Sequence, residues 1–257
     1  MKSGATRAAG AKGMADAPEQ LALFEAKKKR GGKRRGAGRR PKGARAGAPH
    51  QRRPFHDAQH PVHVVLRAVN AVGSLRRRRT YQAIRAATRV AARRGDFRIV
   101  HLSIQRTHVH LLVEAKNKAA LAVGMQGFQI SAAKQLNAAI SRGRPGPRRK
   151  GTVFPDRYHA VVIDSPRHAR HALAYVMNNW RKHAEDRGEV TRKWHIDWYA
   201  SGAMFPGWKE QGEKGFASLG PPDWPLMVVS LPRTWLLREG WQMHGAISCR
   251  EVPSARK

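Results

Sequence analysis

The sequence has little cysteine, few acidic residues and no long apolar run. Cys249 is the one cysteine among 257 residues, which excludes an intrachain disulfide and a cysteine-based zinc site. No run of about 18 apolar residues occurs, so we expect no membrane-spanning helix and no membrane partner. The N-terminus shows no apolar segment of the kind that secretory signals carry. These absences together predict a cytoplasmic location.

The charge balance is the strongest signal in the composition. Lys and Arg number 50 against 17 Asp and Glu, which gives a formal net charge of +33. Such a chain repels itself and is neutralised by a polyanion, most often a nucleic acid. Phosphate binding of this kind releases counterions and needs no base recognition. Membrane surfaces and acidic proteins are the competing partners.

The composition predicts three regions. Residues 1–55 form a basic tail rich in Gly and Ala, which we expect to be disordered. Its segment 31–42 (GGKRRGAGRRPK) resembles arms that enter the DNA minor groove, although a solvated basic tail is the favoured interpretation. Residues 56–187 form a central domain, and residues 188–257 form an extension with most of the seven Trp residues.

Hydrophobic periodicity predicts the elements of the central domain. Strands are expected at 61–69, 97–104, 107–114 and 158–164, and helices at 80–94, 118–142 and 165–187. The first helix has Thr80 as its expected N-cap and apolar residues at Tyr81, Ile84, Ala87 and Val90. The last helix begins with Ser165 as N-cap and Pro166 at its first position, and Gly188 is its expected stop.

The order of these elements predicts the fold class. Two βαβ-like halves share a central hairpin, whose strands are linked at Gln105 and Arg106. This order predicts an α/β (α+β) fold, with a ferredoxin-like antiparallel sheet and helices packed on one face.

A His-x-His pair, His108 and His110, lies in the predicted strand at 107–114. Side chains of a strand alternate between its faces, so His108 and His110 point the same way and together can bind a divalent metal. The same pair is also typical of a polar face on a half-exposed strand. Glu114 lies on that face, either as a group that supports a metal ligand or as a charge at the strand end.

The last predicted helix carries the residues that complete a possible site. Tyr175 and Asn179 are four residues apart and share a helix face, with His171 before them and His183 after them. A tyrosine nucleophile requires a phosphate in line and charge relief at its oxygens, which a metal provides. Tyr175 is equally consistent with an ordinary core aromatic residue.

The ordered motifs resemble a known family of DNA-processing enzymes. FRIVHLSIQRTHVHLLVEA, an Ala-rich helix and GTVFPDRYHAVVIDSPRHARHALAYVMNNWRKH are similar to the REP-associated tyrosine transposases. They are similar also to the wider insertion-sequence-200-like group, the single-tyrosine HUH transposases. The resemblance covers about residues 56–187. Members of the REP-associated branch usually have Pro after the motif Asn, where this sequence has Trp180.

The resemblance implies a fold of the HUH endonuclease type and a mechanism. It assigns metal binding to His108 and His110, with Asn179 as a third ligand, and the nucleophile to Tyr175. The implied cofactor is Mg²⁺ or Mn²⁺, and the implied reaction cleaves single-stranded DNA through a 5′-phosphotyrosine and rejoins it. Relatives recognise hairpins, so we expect a hairpin-containing single strand as partner, a homodimer or monomer, and association with the nucleoid.

Basic clusters in the central domain are the candidate DNA contacts. Helix C-termini also favour cations for electrostatic reasons alone, and charge runs are often only solvated. The residues that we expect to contact DNA are Arg76, Arg77, Arg78, Arg79, Arg148, Arg149, Lys150, Arg181 and Lys182.

Three other functions remain open from the sequence. The first alternative is a nucleic-acid-binding protein of the same fold that no longer cuts. A basic RNA-binding or ribosome-associated protein explains the charge and the sheet, but not the set of His108, His110, Tyr175 and Asn179. A metal-dependent hydrolase needs further carboxylate or histidine ligands, which the sequence does not supply convincingly.

Overall fold

The central domain contains the strands and helices in the predicted order. The computed structural model describes residues 57–188, 194–213, 216 and 224–253, so the tail predicted at 1–55, with its segment 31–42, lies outside the described residues. The main elements are β1 (Val62–Arg67), α1 (Arg78–Ala91), β2 (Phe97–Ile104), β3 (His108–Ala115), α2 (Lys118–Ser141), β4 (His159–Val162), α3 (Pro166–Lys182) and the short α4 (Trp235–Arg238). Single turns of 3-10 helix occur at Asn70–Val72, Glu185–Arg187, Gly202–Met204 and Gly240–His244.

The four strands form one antiparallel sheet in the order β2-β3-β1-β4. This order is that of a ferredoxin-like βαββαβ arrangement, so the predicted fold class and the central hairpin are confirmed. Helices α1 and α2 pack together on one face, as predicted. Helix α3 follows β4 and covers the opposite face, so the prediction that the helices pack on one face holds for α1 and α2 but not for α3.

Strand alternation separates the two faces cleanly along β3. Val109, Leu111 and Val113 belong to the larger core beneath α1 and α2. His108, His110, Leu112 and Glu114 alternate with them and therefore face α3. A register shift between Ile99 and His101 in β2 lets Val100 join the core on the α3 side.

The core on the α3 side is built with residues from the C-terminal part of the chain. Leu173 and Val176 of α3 pack with Phe205, Trp208 and Trp241, all of them buried. Polar contacts add to this packing: the Arg170 guanidinium pairs with the Glu251 carboxylate at 2.7 Å, and the Asn178 amide donates to the Ser248 carbonyl at 2.8 Å. The aromatic residues of this part thus fix α3 against the sheet.

Two helix ends differ from the sequence prediction. Thr80 is not the N-cap of α1, because the helix already begins at Arg78; the Thr80 hydroxyl instead donates to the Leu75 carbonyl at 2.6 Å. Val90, predicted to face the core, is 47% exposed. Helix α3 ends at Lys182 rather than Arg187, because Ala184 adopts a left-handed conformation with φ of 55°.

The Ser165 and Pro166 start of α3 is confirmed. The Ser165 hydroxyl accepts from the His168 backbone N–H, and Pro166 occupies the first turn. Among the described residues, no helix has both the length and the apolar composition that crossing a membrane requires.

Two glycines of α2 give a matched test of this packing. A Cβ at Gly124 would overlap the ring of Phe97, which is fully buried, whereas a Cβ at Gly127 would meet nothing within 4 Å. We expect Gly124→Ala to destabilise the fold by about 1–3 kcal/mol through overpacking. Gly127→Ala should stabilise it by roughly 0.5–1 kcal/mol through helix propensity. Urea unfolding of both variants measures this, and equal effects of the two substitutions would contradict the described packing of α2.

Candidate active site

The two histidines of β3 lie side by side on the face of the sheet that α3 covers. Their ring centroids are 4.7 Å apart. His110 is paired with Val65 of β1, and His108 with Arg67, near the end of β1. His110 is buried and His108 is partly buried, so the pair forms the floor of a site that is open at one side.

Helix α3 places Tyr175 directly above this floor. The Tyr175 and His110 ring centroids are 5.3 Å apart, and the rings meet edge to face. His183, which caps the C-terminus of α3, has its ring centroid 5.5 Å from that of His108. Tyr175, Asn179 and His183 are spaced by four residues, so Asn179 lies on the same helix face between the two contacts.

Two buried polar groups in this site have no hydrogen-bond partner among the described residues. They are Nε2 of His110 and the side-chain amide of Asn179, whose oxygen and nitrogen are both unpartnered. Asn179 is fully buried. A buried unpartnered polar atom costs roughly 1–3 kcal/mol, and a ligand that contacted these atoms would offset that cost.

His63 of β1 is a site residue that the sequence reasoning missed. Its Nε2 lies 3.1 Å from Nδ1 of His110, and its ring is stacked on that of His110 with centroids 5.2 Å apart. The Tyr175 ring centroid is 5.7 Å away. His63 follows the same alternation as the β3 pair, but only the pairing register of β1 with β3 brings it there, and that register is not readable from local sequence.

The hydrogen bonds of the two β3 histidines leave the same nitrogen of each ring available. Nδ1 of His110 is engaged by His63, and Nδ1 of His108 lies 3.2 Å from the Thr107 hydroxyl. When His110 donates from Nδ1 to His63, its Nε2 carries a bare lone pair; the opposite tautomer would bury an unpaired N–H. Both rings can therefore present Nε2 to a ligand.

Burial keeps the imidazoles neutral at physiological pH. Desolvation, with smaller contributions from neighbouring positive groups, lowers the pKa of His108 to about 4 and that of His110 to about 2. Neutral imidazole is the form that binds metals. Burial also raises the pKa of the Tyr175 hydroxyl, which therefore holds its proton at neutral pH.

These residues fit a divalent metal only if an amide joins the two histidines. Among the described residues, no group of three or more His, Cys, Asp or Glu side chains is arranged to hold a metal ion. The unpartnered amide of Asn179 lies on the helix face above the pair and supplies an oxygen donor. Two imidazole nitrogens and one amide oxygen suit a divalent cation that keeps further positions for water or phosphate.

Two of the arginines predicted to contact DNA are bonded to other groups of the protein. Arg76 is not available to phosphate, because its side chain is only 5% exposed and its guanidinium donates to both carboxylate oxygens of Asp197, at 2.8 and 2.9 Å. Arg181 is likewise occupied: it donates to the Cys249 carbonyl at 2.7 Å and to the Asp186 carboxylate at 3.0 Å. Both arginines stabilise the fold around the site.

The remaining predicted contacts lie in three places. Lys182 is exposed beside the site, with its Nζ 5.0 Å from the centroid of the Tyr175 ring. Arg77 and Arg78 are exposed and Arg79 is half-buried at the start of α1. Arg148, Arg149 and Lys150 follow α2, where Arg148 donates to the Lys134 carbonyl and Arg149 to the Thr152 carbonyl. The last group, Arg148 to Lys150, is on the α2 side of the sheet, away from Tyr175.

Glu114, which the sequence left between two roles, is a structural anchor. It is buried and its carboxylate accepts from the backbone N–H groups of Arg233 and Thr234, at 2.9 and 2.8 Å, and from the Thr234 hydroxyl at 2.8 Å. It thereby fixes the start of α4 to the end of β3.

The comparison with family models agrees with the motifs. Residues 57–179 match the family model described as transposase IS200 like, which is the family that the resemblance implies. A solved structure of a REP-associated tyrosine transposase bound to a REP hairpin is similar at 16% identity, covering 72% of this chain and 95% of that chain, with a TM-score of 0.46. No curated protein matches the chain.

The contrast between Arg76 and Arg77 is testable. Arg76→Ala leaves the fully buried Asp197 carboxylate without its partner, so we expect a loss of about 3–5 kcal/mol in the free energy of unfolding. Arg77→Ala removes an exposed side chain and should change stability by less than about 0.5 kcal/mol. Chemical denaturation measures both, and an equal effect of the two substitutions would rule out the structural role of Arg76.

Buried histidines also predict a dependence of stability on pH. Desolvation lowers the pKa of His101 to about 4, in the same direction as His108 and His110. The unfolded chain takes up protons near its ordinary pKa of about 6.5 while the folded chain does not, so stability is full above pH 6.5 and decreases as the pH falls towards 4. His101→Gln should reduce this slope by about 1.4 kcal/mol per pH unit. Urea titrations in EDTA at several pH values test this, and an unchanged slope in the variant would contradict it.

Proposed function

We propose that this protein is a DNA transposase that cuts and rejoins single-stranded DNA with Tyr175 as nucleophile. The observation that carries the proposal is the meeting of α3 with β3: the Tyr175 ring lies 5.3 Å from that of His110, and the unpartnered amide of Asn179 is one turn further along the helix. These residues are the ones that the family resemblance assigns to catalysis.

The other tyrosines are in positions that do not suit a nucleophile. The chain has four. Tyr81 is buried and its hydroxyl donates to the Pro225 carbonyl at 2.6 Å, while Tyr158 is buried in the core on the opposite side of the sheet. Tyr199 lies under the Arg76 guanidinium, 4.4 Å from its ring centroid. Tyr175 alone of the four faces the histidines of β3 and is half-buried at an open edge.

The proposed reaction is a pair of phosphoryl transfers. The Tyr175 oxygen forms a bond to phosphorus, and the bond from phosphorus to the 3′ oxygen breaks. The tyrosine proton leaves, the departing oxygen becomes a 3′-OH, and the 5′ end remains on Tyr175 as a phosphotyrosine. A 3′-OH of a second strand then attacks the same phosphorus and releases Tyr175. One phosphodiester is exchanged for another, so no external energy source is needed.

The side chains around Tyr175 have separate roles in this proposal. His108, His110 and Asn179 would hold Mg²⁺ or Mn²⁺, which when bound supplies charge relief at the phosphate oxygens. His63 orients His110 through the 3.1 Å contact, so that Nε2 of His110 faces the site. The Lys182 ammonium lies over the Tyr175 ring and offers a positive charge to the approaching phosphate.

The proposed substrate is a hairpin-containing single strand, which the family resemblance implies. The net charge of +33 attracts such a strand without reading its sequence. In this proposal residues 56–187 carry the chemistry, residues 188–257 hold α3 in place and the tail at 1–55 adds non-specific affinity. The protein acts as a homodimer or monomer in the cytoplasm, at the nucleoid.

The first experiment is a search for the covalent intermediate. The full-length protein is incubated with a labelled single-stranded hairpin DNA and Mg²⁺ or Mn²⁺, and adducts that resist denaturation are resolved on a gel. We expect an adduct with the wild type and a loss of at least about 10³-fold with Tyr175→Phe, because only the attacking hydroxyl is removed. EDTA should also abolish the adduct.

Tyr158→Phe is the matched control, since it removes one hydroxyl from a tyrosine on the other side of the sheet. It should form the adduct at the wild-type level. An adduct that persists in Tyr175→Phe would overturn the assignment of the nucleophile. Tight DNA binding without an adduct, across both metals and a panel of hairpins, would instead favour the non-cutting nucleic-acid-binding protein.

A further inference from the structure

A second concave site lies at the far end of β3 from His108. It is an open cavity of about 720 Å³ between the starts of β2 and α3, the end of β3 and the helix α4. Its wall includes Arg98, Lys116, Pro166, Arg233 and Trp235. Nothing in the proposed cleavage reaction uses these residues.

The cavity holds two arginine side chains whose charges are only weakly matched. Arg98 is 12% exposed, and its closest carboxylate oxygen, from Glu114, is 3.7 Å away. Burial and the neighbouring Arg233 charge lower the pKa of Arg98, so the two guanidinium groups repel each other. Among the described residues, neither the Arg233 guanidinium nor the Lys116 ammonium makes a hydrogen bond or ion pair. An anion between these groups would remove the repulsion.

The acidic residues of the wall are already satisfied by other groups. The Asp96 carboxylate accepts two hydrogen bonds from Arg94, at 3.0 and 2.8 Å, and the Asp164 carboxylate lies 3.1 Å from the His168 ring nitrogen. The Glu114 carboxylate is filled by the backbone N–H groups at the start of α4. The wall also contains Pro166, so the positive end of the α3 dipole adds to the attraction for an anion.

An aromatic surface lies beside these cations. Trp235 is 51% exposed, although large apolar side chains are usually buried. Its ring is supported from behind by Gly240, where an added Cβ would lie only 2.8 Å from the ring. An exposed but supported indole next to arginines is the combination with which proteins stack a base and bind its phosphate.

We propose that this cavity binds a nucleotide of the single-stranded DNA, with its base stacked on Trp235 and its phosphate between Arg98 and Arg233. The proposal rests on the proposed function, since it concerns the strand that Tyr175 cuts. Glu114 lies six positions after His108 along β3, a distance of about 20 Å. An extended strand of several nucleotides reaches both points, so the cavity fixes the position of the strand relative to the nucleophile.

Binding measurements with matched variants test the cavity. The full-length protein and a labelled single-stranded oligothymidylate of about 20 nucleotides are titrated in EDTA, where no cleavage occurs, at several salt concentrations. Trp235→Ala should weaken binding about tenfold through loss of base stacking. Arg233→Gln should weaken it about fivefold and reduce the slope of log K against log salt by about 0.7, one phosphate contact. The Arg233 backbone contacts with Glu114 remain in this variant.

Arg238→Gln is the control for Arg233→Gln, because it removes the same charge from an exposed arginine that lies outside the cavity, in the helix α4 that follows Arg233. Its affinity and salt slope should stay close to wild type. Photo-crosslinking of strands that carry 5-iodouracil should attach DNA to Trp235. Equal affinities and slopes for Arg233→Gln and Arg238→Gln, with no crosslink at Trp235, would overturn the proposal.

The two proposals fail in different ways. A Tyr175 adduct in the wild type, together with cavity variants that bind like the control, would reject only the nucleotide site. Crosslinking at Trp235 without any Tyr175 adduct would reject the cleavage chemistry and retain the site for single-stranded DNA.

Discussion

The site depends on the packing of α3 against one face of the sheet. Strand alternation in β3 puts Leu112 on that face together with His108 and His110, so the same contact that buries Leu173 and Val176 also brings Tyr175 over the histidines. The packing is supplied largely by C-terminal residues, since Trp208 and Trp241 fill the second core and the Cys249 carbonyl accepts from Arg181. The catalytic geometry that we propose is therefore a consequence of hydrophobic burial far along the chain.

This packing leaves polar groups in an unfavourable state. Nε2 of His110 and the amide of Asn179 are buried without partners, and each such group costs roughly 1–3 kcal/mol. An apolar residue at either position would remove the cost, so stability alone does not explain a histidine and an asparagine there. In the function that we propose, a ligand that contacts both groups would recover this cost, as in a preorganised site. His63 is part of the same arrangement, because it fills Nδ1 of His110 and leaves the other nitrogen open.

Local patterns predicted the fold and part of the site, and long-range contacts explain the rest. The period of two in β3 predicted the shared face of His108 and His110, and Ser165 followed by Pro166 predicted the start of α3. His63 was missed because its place depends on the register between β1 and β3. The run of four arginines at 76–79 predicts a DNA contact for Arg76, and its real partner, Asp197, is 121 residues away and not readable from that run. The end of α3 was misplaced because Ala184, a residue that favours helix, adopts the left-handed conformation there.

The arginines show why total charge predicts a partner but not the contacts. The chain carries 50 Lys and Arg, and long-range attraction to DNA depends on their sum rather than on their positions. Arg76 and Arg181 donate to carboxylates and carbonyls inside the fold, so these donors contribute to the field of the protein but are already engaged. Arg98 has the opposite property, because its nearest carboxylate, that of Glu114, accepts hydrogen bonds from backbone N–H groups instead. A structural arginine thus has acceptors that bond to it, whereas the acceptors near a proposed binding arginine bond to other donors. Only the folded chain decides which donors an acceptor bonds to.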